Sequence, residues 1–293
     1  MFSLTELGLT EAMTTNEHPT ASPEAPILVL GATGKTGRRV VERLTALGRS
    51  VRPGSRSAAI PFDWTDRTTW EPALRGVSAV YIAYQPDLAV PGGADAVTRL
   101  AELAVAQGVD RLVLLSGRNE PEAQTAEAAI RAAGAEWTVV RASFFAQNFD
   151  EGDFLGPILS GEVALPVGDV GEPFVDADDI ADVAVAALTE DGHAGRVYEV
   201  TGPRLLTFAE AVAEIARVSG REVAYVQVPL EAYTAVLAEH GVPAEMIDLL
   251  ALLFGEVLDG RGAYVADGVR QALGRDPRDF TDYARDAAAT WKA

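Results

Sequence analysis

Three glycines, Gly31, Gly34 and Gly37, recur at every third position directly after the apolar run Ile27 to Leu30. Glycines so placed suit the binding of a pyrophosphate. At the first two, a side chain would obstruct a tight bend and the approach of phosphate oxygens to backbone N–H groups; the third lets a helix pack on a strand. The fragment GATGKT also looks like the phosphate loop of nucleoside triphosphatases. That reading fails on spacing, because the glycine required five residues before Gly34 is Val29.

The segment that follows bears on which dinucleotide the bend would hold. An NAD site places an acidic residue near the end of the second strand to bind the ribose hydroxyls, and no acidic residue occurs between Glu42 and Asp63. Arginines stand there instead: Arg38, Arg39, Arg43, Arg49, Arg52 and Arg56, six in nineteen residues of a chain whose net charge is -19. A local positive patch suits the 2′-phosphate of NADP(H), and Arg56, just past the strand, is placed to grip it. Arg39 and Arg43 are expected to be solvated on a helix surface.

Positioning this chemistry requires strands and helices in alternation. Ile27 to Leu30 reads as a buried parallel strand, and from Lys35 the period changes, with Val40, Val41, Leu44 and Leu47 on one helical face that Gly48 closes. Further strands are expected at Ser50 to Arg52, Ala58 to Trp64, Ala79 to Tyr84, Arg111 to Leu115 and Trp137 to Arg141, with helices at Ala94 to Gln107 and Glu122 to Ala133. The alternation predicts an α/β fold with a doubly wound parallel sheet (Rossmann) and a smaller C-terminal substrate lobe. The end of the expected strand at Ala58 to Trp64 would face the adenine, where Asp63 could accept from the exocyclic amine with Trp64 beside it. The alternative is that Asp63 caps the following turn. The exit loop Gln85-Pro86 would pass over the cofactor.

Composition narrows the function. The chain has 293 residues, 48% of them hydrophobic, enough for a large core. A pI near 4.5 argues against nucleic acid and anionic membranes as partners. There are no cysteines and only three histidines, His18, His193 and His240, widely spaced, so no metal site and no catalytic histidine relay is expected. The first lysine or arginine is Lys35, so residues 1–26 read as a flexible extension and not a targeting presequence, and a cytoplasmic protein is expected.

The motifs GATGKTG, LVLLSG, WTVVRASFFAQNF, FVDADDIADVAVAAL, YEVTGP and LGRDPRDF together resemble the NmrA-like group of atypical short-chain dehydrogenases/reductases, from Ile27 nearly to the end. The resemblance implies that Gly31, Thr33, Gly34, Thr36 and Gly37, with Lys35 among them, cradle the pyrophosphate. It implies further that Arg56 meets the 2′-phosphate and that Ala83 and Tyr84 border ribose and adenine. Ser116 and the segment Ser143, Phe144 and Phe145 approach the nicotinamide, and Val197 to Thr201 is the last strand. The Rossmann domain is then 27–150, completed by about 172–202, with 151–171 and 203–293 forming the lobe.

One departure from the larger superfamily shapes the expected mechanism. Ordinary members protonate a carbonyl with the tyrosine of a YxxxK pair. Here the only lysines are Lys35 and Lys292, and Gly31 and Ala288 stand four positions before them. Relatives that reduce aryl ethers keep a lysine in the helix where this chain has Gln124 and Glu127. Hydride transfer with the proton supplied otherwise is the expectation, with Ser116 as the candidate catalytic residue that orients a carbonyl or water and the substrate contributing its own acidic hydroxyl.

In the lobe, helices are expected at Thr207 to Val218 and Leu230 to His240, with a strand-like run at Val223 to Val228. Pro243 to Leu258 is apolar almost all round, which fits core, a subunit interface or a lid. With Phe144, Phe145 and Phe154 expected in the cleft, a bulky aromatic small molecule is the expected substrate, a ketone or quinone such as a polyketide-like metabolite, in a monomer or homodimer. Asp176, Asp178 and Asp179 are read as caps of a helix at Ile180 to Leu188 and not as metal ligands. The alternative to an enzyme is a non-catalytic NADP(H) redox sensor acting on a protein partner.

Overall fold

The computed structural model describes residues 25–292, so the expected extension lies outside the described residues except for Ala25 and Pro26. The elements run β1 (Ile27–Leu30), α1 (Lys35–Ala46), β2 (Val51–Gly54), α2 (Trp70–Leu74), β3 (Ala79–Ile82), α3 (Gly93–Ala106), β4 (Arg111–Gly117), α4 (Pro121–Ala132) and β5 (Glu136–Ala142). There follow α5 (Leu155–Ser160), β6 (Glu162–Leu165), α6 (Ala177–Thr189), β7 (Arg196–Val200), α7 (Phe208–Ser219), β8 (Ala224–Gln227), α8 (Leu230–Glu239), α9 (Ala244–Leu252), α10 (Gly268–Leu273) and α11 (Phe280–Asp286). Six strands form one sheet in the order β2-β1-β3-β4-β5-β7, every neighbouring pair parallel, and β6 pairs with β8 in a separate two-stranded sheet.

The central strands β1 and β3 are apolar and buried throughout because the large sheet is covered on both faces. Ile27, Val29, Ala79, Tyr81 and Val113 point to one side, where α1 contributes Val40 and Leu44 and α6 contributes Ile180 and Ala184. Leu28, Leu30, Val80, Ile82, Leu112 and Leu114 point to the other, against Trp70 and Leu74 of α2, Leu100 of α3 and Ile130 of α4. A third cluster fills the lobe, with Phe149, Phe154, Phe208, Phe254, Phe280 and Trp291 around Val163 of β6. Helix α10 returns to the first cluster through Val269, and Gly268 admits this packing because a Cβ there would fall 2.2 Å from the Glu199 carbonyl oxygen. Among the described residues no helix is long and apolar enough to cross a membrane.

Two local expectations are corrected. Ala58 to Trp64 is not a strand: Ala58 and Phe62 both donate to the Ser55 carbonyl, Pro61 has no N–H to offer a ladder, and the Asp63 side chain folds onto Thr65. Burial of Phe62 against Trp64 and Trp70 curls the segment in place of extending it beside β2. Nor are Arg39 and Arg43 solvated. Arg39 pairs with Glu151 at 2.7 Å, and Arg43 with Asp178 and Asp182 at 2.6 and 2.5 Å, because α1 packs against α6 and the loop before α5 brings Glu151 alongside.

Candidate functional site

A cavity of about 760 Å³ opens at the carboxyl ends of β1, β3, β4 and β5. Strand order reverses beside β1, between β2 and β3, which is where parallel sheets of this kind take their ligands.

Its floor is the bend between β1 and α1. Gly31 adopts φ +69°, a left-handed conformation that β-carbon-bearing residues rarely hold, and the N–H of Gly34 closes the bend onto the Gly31 carbonyl at 2.9 Å. Gly37 faces the bend, not the cavity, and a Cβ on it would fall 2.1 Å from the Gly31 oxygen. Helix α1 starts at Gly34 with no side chain capping it and no acidic residue in its first turn. Its leading N–H groups, which no intrahelical carbonyl can satisfy, lie where Thr33, Gly34, Lys35 and Thr36 line the cavity, and such a helix start suits an anion. Thr36 is buried and accepts from the Tyr81 hydroxyl at 3.0 Å, which anchors the first turn to β3. These features fit the pyrophosphate of a dinucleotide.

Of the other residues expected at the cofactor, Ala83, Tyr84, Ser116, Ser143 and Phe144 line the cavity, while Arg56, Asp63 and Trp64 do not. Arg56 is exposed beyond β2. The Asp63 carboxylate accepts from the backbone N–H and hydroxyl of Thr65, the turn-capping alternative, and these bonds, with Arg56 nearby, hold it below the usual range. Trp64 reaches the cavity only through Tyr84, whose ring lies 4.8 Å from its own. The Ser143 hydroxyl is tied to the Pro173 carbonyl at 2.6 Å.

Ser116 donates to Glu127 Oε1 at 2.8 Å. Glu127 is buried and also takes two bonds from Arg141, which continues to Glu199 at 2.9 Å. The serine hydrogen is thus engaged by a carboxylate, and the oxygen's lone pairs are what it offers to a ligand.

The walls are apolar on the lobe side. Phe144 and Phe145 line the cavity, but Phe154 does not: it is buried in the lobe core, stacked 6.0 Å behind Phe144, because α5 turns it inward. The apolar segment 243–258 is both wall and core. Leu249, Phe254 and Leu258 are buried in the lobe, and Leu253, Val257 and Leu258 line the cavity from a π-helical turn at Leu253–Val257.

Opposite stand polar residues that the motifs did not single out. Asp87 follows β3, Arg118 and Glu120 follow β4, and Glu172 precedes α6. Burial raises the carboxyl pKa of Asp87 and Glu172, and Phe144 N–H opposes the rise at Glu172 through a 3.0 Å bond. The Arg118 guanidinium rests 4.3 Å over the Tyr264 ring. A signal for Glu120 existed in the sequence: it occupies the residue before Pro121, a helix-capping position where Ser, Thr, Asp or Asn is usual. Asp176 does cap α6, accepting from Asp178 N–H at 2.8 Å, whereas Asp178 and Asp179 are ion-paired with arginines. Among the described residues no cluster of three or more His, Cys, Asp or Glu could hold a metal.

The chain is similar to known proteins in sequence and in fold. The NmrA-like family matches residues 23–283. The uncharacterized oxidoreductase YesF of Bacillus subtilis (strain 168) is 32% identical over 278 residues, which cover 91% of this chain and 96% of its own. The (4-alkanoyl-5-oxo-2,5-dihydrofuran-3-yl)methyl phosphate reductase of Streptomyces griseus subsp. griseus is 34% identical over 283 residues, 89% of this chain and 98% of its own. The crystal structure of Citrobacter sp. triphenylmethane reductase complexed with NADP(H) shares the fold, with a TM-score of 0.75 at 20% identity over 90% of this chain and 99% of that one.

Proposed function

The chain belongs to the NmrA-like family, and from that premise we propose that it is an NADPH-dependent reductase of a bulky aromatic carbonyl, a ketone or quinone, working without a tyrosine–lysine pair. The observation that carries the reading is the acid-free, uncapped start of α1 above the glycine bend, opening into a cavity large enough for a cofactor and an aromatic ring. Reductases among its relatives support the same class of reaction.

When bound, the nicotinamide supplies the hydride. The chain's residues do the rest. Backbone N–H groups at Thr33, Lys35 and Thr36 hold the pyrophosphate, and Arg56 is assigned the 2′-phosphate. Ala83 and Tyr84 flank the adenosine half. Ser116, kept in one orientation by Glu127, positions the nicotinamide end. Phe144, Phe145, Leu253 and Val257 present an apolar wall to the substrate ring and keep water from it.

The test is a titration of the purified chain with NADPH and NADH, followed by turnover with a panel of quinones and phenolic ketones. Tighter NADPH binding and cofactor oxidation with at least one substrate are expected. Absence of affinity for either dinucleotide overturns the site, and NADPH binding without oxidation above background favours the sensor.

A further inference from the structure

The reductase reading needs a source for the proton that accompanies the hydride, and the sequence offers no tyrosine–lysine pair to provide it. Resting on that reading, we propose that Glu120, sharing a hydrogen with Asp87, is the acid that protonates the substrate oxygen.

Three observations converge on Glu120. It lines the cavity yet is only 7% exposed, and among the described residues its Oε2 has no hydrogen-bond partner. Its carboxyl lies against the end of β4, where Gly117 leaves the room: a Cβ there would fall 1.9 Å from Glu120 Oε1. This places the carboxyl one residue beyond Ser116, at the end of the cavity assigned to the nicotinamide. Finally, the group that faces it is another carboxyl, that of Asp87 on the loop after β3, and two carboxyls bond only when one of them carries a hydrogen.

The surroundings assign that hydrogen to Glu120. Burial first, then the Asp87 charge, raises its pKa well above the usual carboxylate value, and Glu122 in the first turn of α4 adds a like charge. Asp87 accepts from Ala89 N–H at 2.8 Å and is half-buried, so it is the more readily ionised partner and the one closer to solvent. The other charged groups of the cavity are engaged elsewhere or across it. Glu172 is held by Phe144 N–H, Arg118 by Tyr264 and the Gly262 carbonyl, and Lys35 stands at the α1 wall, near Gly152.

In the step, the Glu120 O–H bond breaks as its hydrogen passes to the substrate oxygen, while the adjoining carbon accepts the hydride with its electron pair. A carbonyl, NADPH and one proton become an alcohol and NADP⁺. Glu120, left as a carboxylate, regains its proton from water by way of Asp87.

Infrared difference spectra of the cofactor-free full chain test the resting state. A protonated-carboxyl band should persist above about pH 6 in the wild type and vanish in Glu120→Gln; its absence from the wild type overturns the proposal. Kinetics test the step: Glu120→Gln should keep NADPH affinity within about threefold, lose about 100-fold in turnover and lose the basic limb of the pH profile, and Asp87→Asn should shift that limb. Wild-type turnover with an unaltered Glu120→Gln profile overturns this proposal alone. A wild type that binds NADPH but reduces no carbonyl overturns the reductase reading, and this proposal with it.

Discussion

Ser116 and Glu127 are joined beneath the cleft by a 2.8 Å hydrogen bond in which the serine is the donor and the carboxylate, itself held by Arg141, the acceptor. The bond sets what Ser116 can do. A hydroxyl whose hydrogen is committed to a buried anion is a poor acid but a well-oriented acceptor.

Ser116→Ala is therefore expected to lower turnover by about tenfold or less, with the pH profile unchanged, since only positioning is lost. Steady-state kinetics across the pH range check this. A loss of 100-fold or more would show that the serine proton enters the reaction.

Gly37→Ala places a methyl group on backbone, not on a side chain that can move aside, at 2.1 Å from the Gly31 oxygen. The glycine bend must shift, which costs about 1–3 kcal/mol in stability and spoils the anion cradle. Urea unfolding and NADPH titration should both register the change, and wild-type affinity in a folded variant would remove the bend from the cofactor site.

Arg56→Ala should weaken NADPH at least about tenfold while leaving NADH nearly unaffected, because only one of the two carries a 2′-phosphate. Isothermal titration with both cofactors decides it. Equal losses would dissociate Arg56 from that phosphate.

Asp279 carries an acid-sensitive part of the stability. The bond from Arg204 Nε at 2.7 Å, more than any other influence, pulls its pKa down from 3.8 to about 2. A carboxylate whose folded pKa is depressed contributes stability that is whole above the unfolded pKa and is lost as pH falls toward the folded one. The window is thus from about 3.8 to about 2. Urea unfolding of Arg204→Met should show a deficit against wild type at neutral pH that narrows through this window; a pH-independent deficit would refute the linkage.

Glu120 gives the opposite sign. Its folded pKa is raised, so above 4.5 the unfolded chain releases this proton first, and stability falls as pH rises toward the folded value. Glu120→Gln keeps the shape and removes the ionisation, so the variant should gain on the wild type between acid and neutral pH. A thermal midpoint difference that stays constant with pH would contradict this.

Much of this molecule can be read along the chain. The apolar four-residue run of β1, the glycine spacing and the helical stripe through Val40 and Leu44 lie within twenty residues of one another, so local periodicity reveals the bend and its strand–helix setting. The absence of a YxxxK pair is likewise a fact of residue order. Ala58 to Trp64 misled because its apolar content fits a strand, while Pro61 and the Asp63 turn, together with burial of Phe62, favour a curl.

What residue order alone could not decide are the partnerships made across the fold. Arg39 meets Glu151 over 112 positions and Arg43 meets Asp182 over 139, turning an apparent basic surface into a part-buried set of ion pairs. The Glu120 carboxyl faces Asp87 only because β3 and β4 lie side by side and in parallel, so that the loops leaving both strands emerge at the same edge of the sheet. Secondary structure follows from the spacing of neighbours, but the charge state of a carboxyl follows from what surrounds it in space, and packing alone supplies that.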